Sequence, residues 1–497
     1  MAEHEDDRTF DLAIVGGGPG GYVAAIRAAQ YGLRTALVEK ERAGGVCLNW
    51  GCIPTKAMLR SAEVLETLQH SADFGVLADN VRLDYQRVLQ RKDQVVKNLT
   101  DGVAGLLNAN KITVFDGHAR FIAPTTLEVL AVGDSPLGPG GPLYNAPPAP
   151  DGTPRAMVEA RQVIIATGST PATLQTPGAA LPGVITSDGA FLLAEVPRRI
   201  VIVGGSAVGA EWATMFNAFG TDVTVVELLP NPIPVEDEDM GRTLARSFVR
   251  RGIKVMTSMT VAGIEQTDDQ ALQVRIAGRD GGKEQIATAD VVLVGVGRRP
   301  NTSALELQYA GVGTDARGFI TVDDRMRTSV PDVFAIGDVT GRVLLAHVAS
   351  HQGLFAAGVI AGRQDRMNYR AVPAATFTHP EVASVGFTEK AAREAGYDVI
   401  VGKFPFSALG RAQTYGDTEG LIKVVSERRY HEVLGVHVIG PSASDLIPEG
   451  VLAIGLEATL EDIAGTIHAH PTLGEAPMEA SMVALGLPVH IPPARRR

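Results

Sequence analysis

Short apolar runs that lead into glycine-rich turns are the clearest repeating pattern along the chain. Residues 10–15 (FDLAIV) and 199–203 (RIVIV) each precede such a turn, and an apolar stretch with helical spacing follows each turn. A second apolar run comes next, at 35–39 (TALVE) in the first copy and at 223–227 (VTVVE) in the second. Strands that alternate with helices in this way predict parallel sheets and an α/β fold.

The two glycine turns share one spacing, and each is followed by a glutamate at the end of the second strand. Their small-residue positions and acids are Gly16, Gly18, Gly21 and Glu39 in the first copy, and Gly204, Ser206, Gly209 and Glu227 in the second. A first glycine permits the tight turn, a second lets the backbone approach a pyrophosphate, and a third allows close packing of helix on strand. The acid accepts hydrogen bonds from ribose hydroxyls. Two copies with the same spacing are strong evidence for two dinucleotide-binding units.

The second copy departs from the rule at Ser206, where the middle glycine is expected. This substitution leaves the fold prediction intact but puts tight dinucleotide binding at this turn in question. Glu227 favours a free ribose 2′-hydroxyl over a 2′-phosphate, and so NAD over NADP. The alternative is an ordinary surface glutamate at a strand end.

The chain after about residue 372 has a different pattern. Apolar and polar positions alternate at 421–425 (LIKVV) and 434–439 (LGVHVI), which predicts an α+β domain on an antiparallel sheet. Upstream, the Gly- and Pro-rich segment 131–155 predicts an irregular surface loop or hairpin extension, to which no chemistry is assigned. Asp338 follows an apolar run, where it is either a ligand for a polyol hydroxyl or a helix N-cap.

Composition narrows the classes of function. The chain has 497 residues, enough for two to four domains at roughly 150 residues each. Its formal net charge of −11 argues against a nucleic-acid surface. No apolar run reaches the length of a membrane span, and the acidic start at 1–7 resembles neither a secretory signal nor a transit peptide. A cytoplasmic protein is expected, with the arginine tail 495–497 solvated.

The only two cysteines, Cys47 and Cys52, lie in one glycine-flanked run. Two thiols are too few for a structural zinc site. Residues five apart in a regular helix have Cα atoms roughly 8–9 Å apart, whereas a disulfide needs about 4.4–6.8 Å. We therefore expect an irregular turn at Cys47 and a helix that begins near Cys52, where backbone N–H groups lower a thiol pKa. The pattern favours a redox-active dithiol over two buried, inert cysteines.

Together these motifs resemble the class I pyridine nucleotide–disulfide oxidoreductases over about residues 9 to 485. The resemblance rests on 44–56 (GGVCLNWGCIPTK), the two nucleotide units, 335–338 (AIGD), 345–347 (LAH) and 468–475 (HAHPTLGE). It implies two Rossmann-like FAD/NAD(P)-binding domains plus a C-terminal α+β dimerisation domain. The implied segments are 1–187 (FAD-binding, first part), 188–298 (NAD-binding), 299–371 (central, completing the FAD domain) and 372–497 (dimer interface).

The resemblance also implies cofactor contacts, position by position. For FAD these are Gly16, Gly18, Gly21, Glu39, Lys56, Gly117, Thr167, Gly168, Ser169, Asp338, Leu344, Leu345, Ala346 and His347. For the NAD side they are Gly204, Ser206, Gly209, Glu211, Glu227, Val261 and Gly297. In such proteins the residue at Lys56 lies near the reactive flavin nitrogen and pairs with a glutamate on the second nucleotide helix, here Glu211.

A histidine near the dithiol can accept a proton from a thiol, because its unperturbed pKa is about 6.5. Local sequence does not distinguish His468 from His470, or either from a polar loop histidine. The resemblance selects His470, which precedes Pro-Thr, and gives it Glu475 as the orienting carboxylate. It also implies that this base comes from the other subunit of a homodimer, and that Cys47 faces the substrate while Cys52 faces the flavin.

Within the family, the chain most resembles the members that oxidise protein-bound dihydrolipoamide with NAD⁺. The implied partner is a lipoyl-bearing acyltransferase or carrier protein of a 2-oxoacid dehydrogenase or glycine cleavage complex. The rivals are a related FAD-dependent disulfide or quinone reductase that uses NAD(P)H and, from another class, a catalytically silent flavin subunit or redox sensor. The chain departs from the common family pattern at Ser206, Val348 and Gln352.

Overall fold

The fold is described from a computed structural model, in which residues 9–150, 152–282, 284–363 and 366–493 can be described. The acidic start and the terminal arginines, for which sequence-based expectations were given above, lie outside the described residues. Within the described ranges, no helix combines the length and the apolar character that crossing a membrane requires.

The first sheet carries the first nucleotide unit. Its strands and neighbouring helices are β1 (Thr9–Val15), α1 (Pro19–Gln30), β2 (Thr35–Glu39), α2 (Gly45–Asn49), α3 (Cys52–Gln69), α4 (Tyr85–Ala109), β3 (Thr113–Asp116), β4 (His118–Ala123), β5 (Thr126–Leu130) and β6 (Pro154–Ile165). The strand order is β3-β2-β1-β6-β5-β4. The pairs from β3 to β6 are parallel, while β4, β5 and β6 pair antiparallel. Leu12 and Ile14 of β1 are fully buried, as expected for a strand covered on both faces.

The second sheet repeats this design. The elements that follow are β7 (Ser169–Pro171), β8 (Val184–Thr186), α5 (Ser187–Ala190), β9 (Arg199–Val203), α6 (Ala207–Ala218), β10 (Asp222–Glu227), α7 (Glu238–Arg250), β11 (Lys254–Thr257), β12 (Met259–Gln266), β13 (Leu272–Gly278), β14 (Gln285–Ala289), β15 (Val291–Val294) and β16 (Arg298–Pro300). Strands β11-β10-β9-β15-β8 form a parallel sheet, and β12-β13-β14 form a separate antiparallel one. Strands β7 and β16 pair with each other where the chain enters and leaves this unit.

The chain then returns to the first sheet. The returning elements are α8 (Leu307–Ala310), β17 (Val333–Ala335) and α9 (Ala346–Ile360). Strand β17 pairs in parallel with β6. Helix α9 packs so closely on α1 that a Cβ at Gly353 would overlap the Gly20 carbonyl oxygen. Residues far apart in sequence therefore complete one nucleotide-binding unit.

The C-terminal elements form a five-stranded antiparallel sheet with helices. They are β18 (Pro373–Thr376), β19 (Glu381–Gly386), α10 (Glu389–Glu394), β20 (Val399–Pro405), α11 (Gly410–Tyr415), β21 (Leu421–Glu427), β22 (Val433–Gly440), α12 (Ala443–Gly455), α13 (Leu460–Gly465) and α14 (Glu475–Ala484). The strand order β18-β19-β22-β21-β20 confirms the predicted α+β fold of this region. The predicted domain boundaries at 187, 298 and 371 stay predictions.

One polar position of the alternating strands is not on a solvated face. Lys423 of β21 is 3% exposed, and its ammonium lies 2.8 Å from carboxylate oxygens of Asp237, Asp239 and Glu389. Asp237 is the N-cap of α7. Because a buried charge is costly unless it is paired, this cluster fastens the C-terminal sheet to the second nucleotide unit.

The Gly- and Pro-rich segment 131–155 is irregular, as predicted, but it is more than a solvated surface loop. Among its described residues, Tyr144 and Ala146 are buried, and a single bridge joins Val132 to Pro148. The bridge prolongs the β5–β6 pair, so the prediction of an irregular loop or hairpin extension is confirmed. The sequence did not indicate that the buried part of this segment contacts Lys40 and Glu41, about one hundred residues earlier in the chain.

Candidate active site

The two cysteines lie on either side of a break between two helices. Cys47 is inside the short helix α2, and Cys52 is the first residue of α3. The predicted helix start at Cys52 is confirmed. The predicted irregular turn at Cys47 is wrong, because the irregular backbone lies at Trp50 and Gly51 instead. Gly45 brings α2 against the first glycine turn, where a Cβ would lie 2.6 Å from the Cα of Gly18.

Both thiols are free and share a hydrogen bond. That bond lowers the pKa of Cys52 to about 7; burial opposes the shift, and the charge of Lys56 reinforces it. The same hydrogen bond and burial raise the pKa of Cys47. Cys52 therefore carries the thiolate of the reduced pair, and Cys47 the proton.

Lys56 lies one helical turn beyond Cys52 and is ion-paired with Glu211 of α6. Its Nζ is 2.9 and 2.8 Å from the two carboxylate oxygens, so the expected partner is present. The N–H of Phe377 donates to the same carboxylate at 3.0 Å, and Lys56 lies 4.5 Å from the Phe377 ring centre. The first helix after the dithiol, the second nucleotide helix and the C-terminal region thus meet at one ammonium group.

The two glycine turns have nearly identical backbones. Gly16 has φ 101° and Gly204 φ 100°, a left-handed conformation that favours glycine. Gly18 and Ser206 are the N-cap residues of α1 and α6, with φ/ψ of −66°/−177° and −68°/−178°. The serine therefore keeps the glycine's extended conformation without strain. Its hydroxyl donates to the Gly295 carbonyl at 3.3 Å.

The last glycine of each turn, Gly21 or Gly209, allows the close packing that the sequence predicts. A Cβ at Gly21 would overlap the carbonyl oxygen of Gly16, and one at Gly209 would overlap that of Gly204. Beside the middle glycine, in contrast, the nearest atom to a Cβ at Gly18 would be 3.9 Å away. The first turn therefore leaves room at the start of α1, where a helix end binds phosphate.

Glu39 and Glu227 each brace their own turn. Glu39 Oε2 accepts a hydrogen bond from the Gly17 N–H at 2.5 Å, and Glu227 Oε2 accepts one from the Gly205 N–H at 2.6 Å. Burial raises the pKa of Glu39, although the hydrogen bonds that it accepts from backbone N–H groups, that of Gly17 first, oppose the shift. A carboxylate has further lone pairs, so this contact is compatible with the predicted ribose contact.

His470 and His468 are held in different ways. The His468 side chain is only 9% exposed and uses both ring nitrogens, Nδ1 with the Thr466 carbonyl and Nε2 with Glu449, each at 2.9 Å. His470 Nδ1 is 2.9 Å from Glu475 Oε1, and its Nε2 has no hydrogen-bond partner among the described residues. The His470 side chain is 76% exposed, and no hydrogen bond of the described chain joins it to either cysteine. Of these two histidines, His470 is therefore the one that presents a ring nitrogen outward.

Glu475 is suited to orient that ring. Burial opposes its ionisation, but the Thr472 N–H at 2.9 Å and the His470 ring lower its pKa overall. It remains a carboxylate at neutral pH, acceptor for the ring on one oxygen and for the backbone on the other.

The chain matches the family described as pyridine nucleotide-disulphide oxidoreductase over residues 10–353. The dimerisation domain of the same family matches residues 372–481.

The chain belongs to this family.

Similar proteins of known name extend over the whole chain. Dihydrolipoyl dehydrogenase from Chlamydia muridarum is 42% identical over 494 residues, covering 99% of this chain and 100% of the relative. The dihydrolipoyl dehydrogenase of Geobacillus stearothermophilus is 43% identical, covering 97% of each chain. Among solved structures, LpdA from Mycobacterium tuberculosis matches with a TM-score of 0.83 and 25% identity, covering 95% of this chain and 98% of that one. The HOCl-induced flavoprotein disulfide reductase RclA from Escherichia coli, as a Cu(II) complex, matches with a TM-score of 0.81 and 27% identity, covering 96% and 99%.

Family membership confirms the predicted fold class and makes FAD and NAD the cofactors. It also gives the chain the family's dimerisation domain, which supports a homodimer. The space beside Gly18 at the start of α1 fits a dinucleotide phosphate. The individual cofactor contacts stay predictions, and the structure brings most of them together as follows.

The residues predicted around FAD gather where paired strands end. Thr167, Gly168 and Ser169 follow β6, and Asp338 follows its neighbour β17. Ser169 Oγ donates to Asp338 Oδ2 at 2.5 Å. The N–H of Gly117 donates to the Glu39 carbonyl at 2.9 Å. The residues Leu344, Leu345, Ala346 and His347 form the start of α9, next to α1.

The position of Asp338 distinguishes between its two predicted roles, a ligand for a polyol hydroxyl or a helix N-cap. It lies within the 3₁₀ turn Gly337–Thr340, whose N-cap residue is Ile336, and the N-cap of α9 is Leu345. Asp338 therefore caps neither element, and the helix-cap alternative is wrong.

On the NAD side, Val261 and Gly297 belong to elements that lie beside the second turn. Val261 of β12 is buried in one cluster with Val203 and Val226, the residues before the turn and before Glu227. Gly297 belongs to the turn after β15, and a Cβ at Gly204 would overlap the Gly295 oxygen in that turn. Glu211, in contrast, is engaged by Lys56.

Two site residues escaped sequence analysis. Arg298 donates through Nε to Ser169 Oγ at 2.6 Å, and Asn301 Nδ2 donates to the Thr167 carbonyl at 3.0 Å. Both come from β16 and the residue that follows it, which pair with the chain after β6. No local spacing rule could have identified them.

The departure at Gln352 has a local reason. Its Oε1 accepts from the Gly337 N–H at 2.6 Å, and its Nε2 donates to the Tyr369 hydroxyl at 3.0 Å. An ionised glutamate could accept but not donate, so the amide suits this buried position. Val348, the other departure beside α9's start, is a buried apolar residue.

Proposed function

We propose that the protein oxidises protein-bound dihydrolipoamide to lipoamide, with the electrons passing through Cys47 and Cys52 and FAD to NAD⁺. The full-length relatives named dihydrolipoyl dehydrogenase support this substrate. The observation that carries the mechanism is the position of Cys52, which is the first residue of α3 and lies one helical turn before the ion-paired Lys56.

The surroundings of Cys52 set the direction of attack. In thiol–disulfide exchange the sulfur with the lower thiol pKa leaves faster. A substrate thiolate that attacks Cys47 forms a mixed disulfide and expels Cys52 as a thiolate. The start of α3 and the charge of Lys56 both stabilise that thiolate. This environment favours Cys47 as the substrate-facing sulfur, the role that the family resemblance gives it.

The base of this scheme is assigned to the other subunit of the homodimer. The partner subunit's His470 accepts the proton of the first substrate thiol, with its ring held by Glu475. The second substrate thiol then attacks the substrate sulfur of the mixed disulfide. Lipoamide closes, Cys47 leaves with the electron pair, and Cys47 takes up a proton. The exposure of His470 on an isolated chain agrees with a base that serves the other subunit.

The half-buried Lys56 and Glu211 pair holds a positive charge one turn from the Cys52 thiolate. FAD, when bound, accepts the two electrons of the dithiol and supplies them as a hydride to NAD⁺. A cation at this position stabilises negative charge that develops there. The partner that delivers the substrate is a lipoyl-bearing acyltransferase or carrier protein.

The decisive experiment is steady-state turnover of the purified holoprotein against dihydrolipoamide, glutathione disulfide, Hg(II) and quinones, each with NAD(H) and NADP(H). We expect dihydrolipoamide with NAD⁺ to exceed the other pairs by about 100-fold in kcat/KM, which corresponds to about 2.7 kcal/mol of transition-state stabilisation. A preference for a quinone or another disulfide would replace the proposal with the reductase alternative.

A further inference from the structure

A single carboxylate connects the break between the cysteines to the Gly- and Pro-rich segment. Glu41 Oε1 accepts a hydrogen bond from the indole Nε1–H of Trp50 at 2.7 Å. Its Oε2 accepts from the backbone N–H groups of Leu143 and Tyr144 at 3.1 and 3.0 Å. Both oxygens of Glu41 therefore accept hydrogen bonds, one from Trp50 between the two cysteines and one from the Gly- and Pro-rich segment about one hundred residues away.

The segment gives Glu41 a fixed support. The Tyr144 hydroxyl donates to Asp188 of α5. Lys40 Nζ donates to the Ala146 carbonyl at 3.1 Å. The backbone N–H groups that receive Glu41 thus belong to a stretch fastened at both the first and the second nucleotide unit.

The opposite side of Trp50 is held by aromatic packing. Its ring is buried and lies 6.5 Å from the ring centre of Phe191. Phe191 in turn lies 5.0 Å from Trp212, the residue after Glu211. A row of three aromatic rings therefore connects Trp50 to helix α6 of the second nucleotide unit.

Trp50 and Gly51 are the two residues between α2 and α3. The relative position of the helices, and with it that of the two sulfurs, depends on the backbone torsions of this pair. Gly51 has no side chain to restrain it. Contacts with the Trp50 side chain are therefore the way in which the rest of the protein can restrain the backbone between α2 and α3.

We propose that Glu41 is a positioning residue for the dithiol, which holds Trp50 so that Cys47 and Cys52 stay in bonding range. This inference rests on the proposed redox role of the pair. Disulfide geometry is strict, whereas a hydrogen bond to sulfur tolerates a wider range of distances. Loosening the break therefore weakens the disulfide more than it weakens the dithiol, and the reduction potential rises.

The test is the equilibrium in which the Cys47–Cys52 disulfide and two glutathione thiols give the dithiol and glutathione disulfide. The holoprotein is equilibrated in glutathione buffers, its thiols are alkylated, and its mass is measured. Because the chain has only two cysteines, the label count gives the disulfide fraction without background. This readout does not depend on turnover of dihydrolipoamide, so it stands even if the proposed substrate is wrong.

Two variants break the same hydrogen bond from opposite ends. Trp50→Phe keeps the ring beside Phe191 but removes the indole N–H. Glu41→Gln replaces one of the two acceptor oxygens with an NH₂ group, which is only a donor. That NH₂ group then faces either the indole N–H of Trp50 or the backbone N–H groups of Leu143 and Tyr144, and the hydrogen bond on that side is lost. We expect each variant to shift the equilibrium about tenfold toward the dithiol, which corresponds to about 30 mV for this two-electron couple. The double variant should shift it no further, because both changes remove one interaction.

The matched control is Glu66→Gln on α3, the helix that begins at Cys52. Glu66 is ion-paired with Arg251 at 2.7 Å and does not touch the break. The control should lower the melting temperature but leave the potential at the wild-type value. Unchanged potentials in folded Trp50→Phe and Glu41→Gln, or an equal shift in the control, would overturn the proposal.

Discussion

The Lys56 ammonium lies 2.8 Å from Glu211 Oε2 and joins the helix that begins at Cys52 to the helix of the second nucleotide turn. The two charges act on the Cys52 thiol with opposite sign. Lys56 lowers the pKa of Cys52 and Glu211 raises it. This pair therefore offers a way to tune the thiolate without touching either cysteine.

We expect Lys56→Met to raise the pKa of Cys52 above its value of about 7, and Glu211→Gln to lower it. The reason is that each variant removes one charge of known sign near the thiolate. The pH dependence of alkylation by iodoacetamide in the two-electron-reduced holoprotein measures both shifts. Shifts of the same sign would contradict the electrostatic explanation.

Cys47→Ser should keep both cofactors but lose oxidation of dihydrolipoamide by about 1,000-fold or more, because the sulfur under attack is gone. Reduction of a small artificial electron acceptor by NADH should persist, since it needs no dithiol. Flavin content and the two rates measured side by side separate a missing sulfur from a misfolded site.

His470→Gln should reduce dihydrolipoamide turnover by about 100- to 10,000-fold, the usual contribution of a positioned general base. His468→Gln is the matched control, because its ring is already engaged by Glu449 and Thr466. We expect the control to lose thermal stability and to keep most of its turnover. A larger loss of turnover in the control would assign the base to His468.

Ser206→Gly should change the KM for NAD⁺ less than about threefold, since a few tenths of a kcal/mol is the scale of such a cap change. Gly204→Ala should raise that KM more than tenfold, because its φ of 100° and the nearby Gly295 oxygen leave no room for a Cβ. Initial-rate kinetics in NAD⁺, with flavin content as the folding check, compare the two.

The Lys423 cluster predicts an acid-sensitive contact. Burial opposes ionisation of Asp237 and Asp239, yet Lys423 and its neighbours lower both pKa values overall. A carboxyl whose pKa is lowered in the folded state stabilises the fold above its unfolded pKa, near 4, and loses that contribution as the pH falls through the folded pKa. Stability from this cluster should therefore be constant near neutrality and decline below about pH 4.

Lys423→Met removes an ion pair from each of the three carboxylates and leaves the buried Asp237 with none among the described residues, whereas Asp239 keeps Lys403 and Glu389 keeps Arg393. The unpaired Asp237 should destabilise the protein by about 3–5 kcal/mol at pH 7. The difference from the wild type should shrink as the pH falls, because protonation then relieves the same carboxylates. Chemical denaturation at pH 7 and pH 4.5 measures it. Lys390→Met, which removes a solvent-exposed helix pair with Glu394, is the control and should be near neutral.

Short-range features of the site could be predicted from local sequence patterns, whereas the Lys56–Glu211 pair, which spans 155 positions, was expected only from the family resemblance. Other long-range contacts could not be predicted. The start of α3 at Cys52 and the two glycine turns depend on residues within about one helix of each other. The burial of Lys423 depends on Asp237, 186 positions away. The support of Trp50 depends on Tyr144 through Glu41, across 103 positions. Alternating polarity at Lys423 indicated a strand correctly, but it could not show that a carboxylate cluster covers the polar face.

The Lys423 cluster has a consequence for the redesign of nucleotide preference. Asp237 and Asp239 lie only ten and twelve positions after Glu227, the acid predicted to favour NAD. A segment exchanged from a relative to alter that preference would carry the anchoring carboxylates with it. Recombination points placed between Glu227 and Asp237 would leave the native anchor to the C-terminal sheet in place, so nucleotide preference could be altered without loss of that anchor.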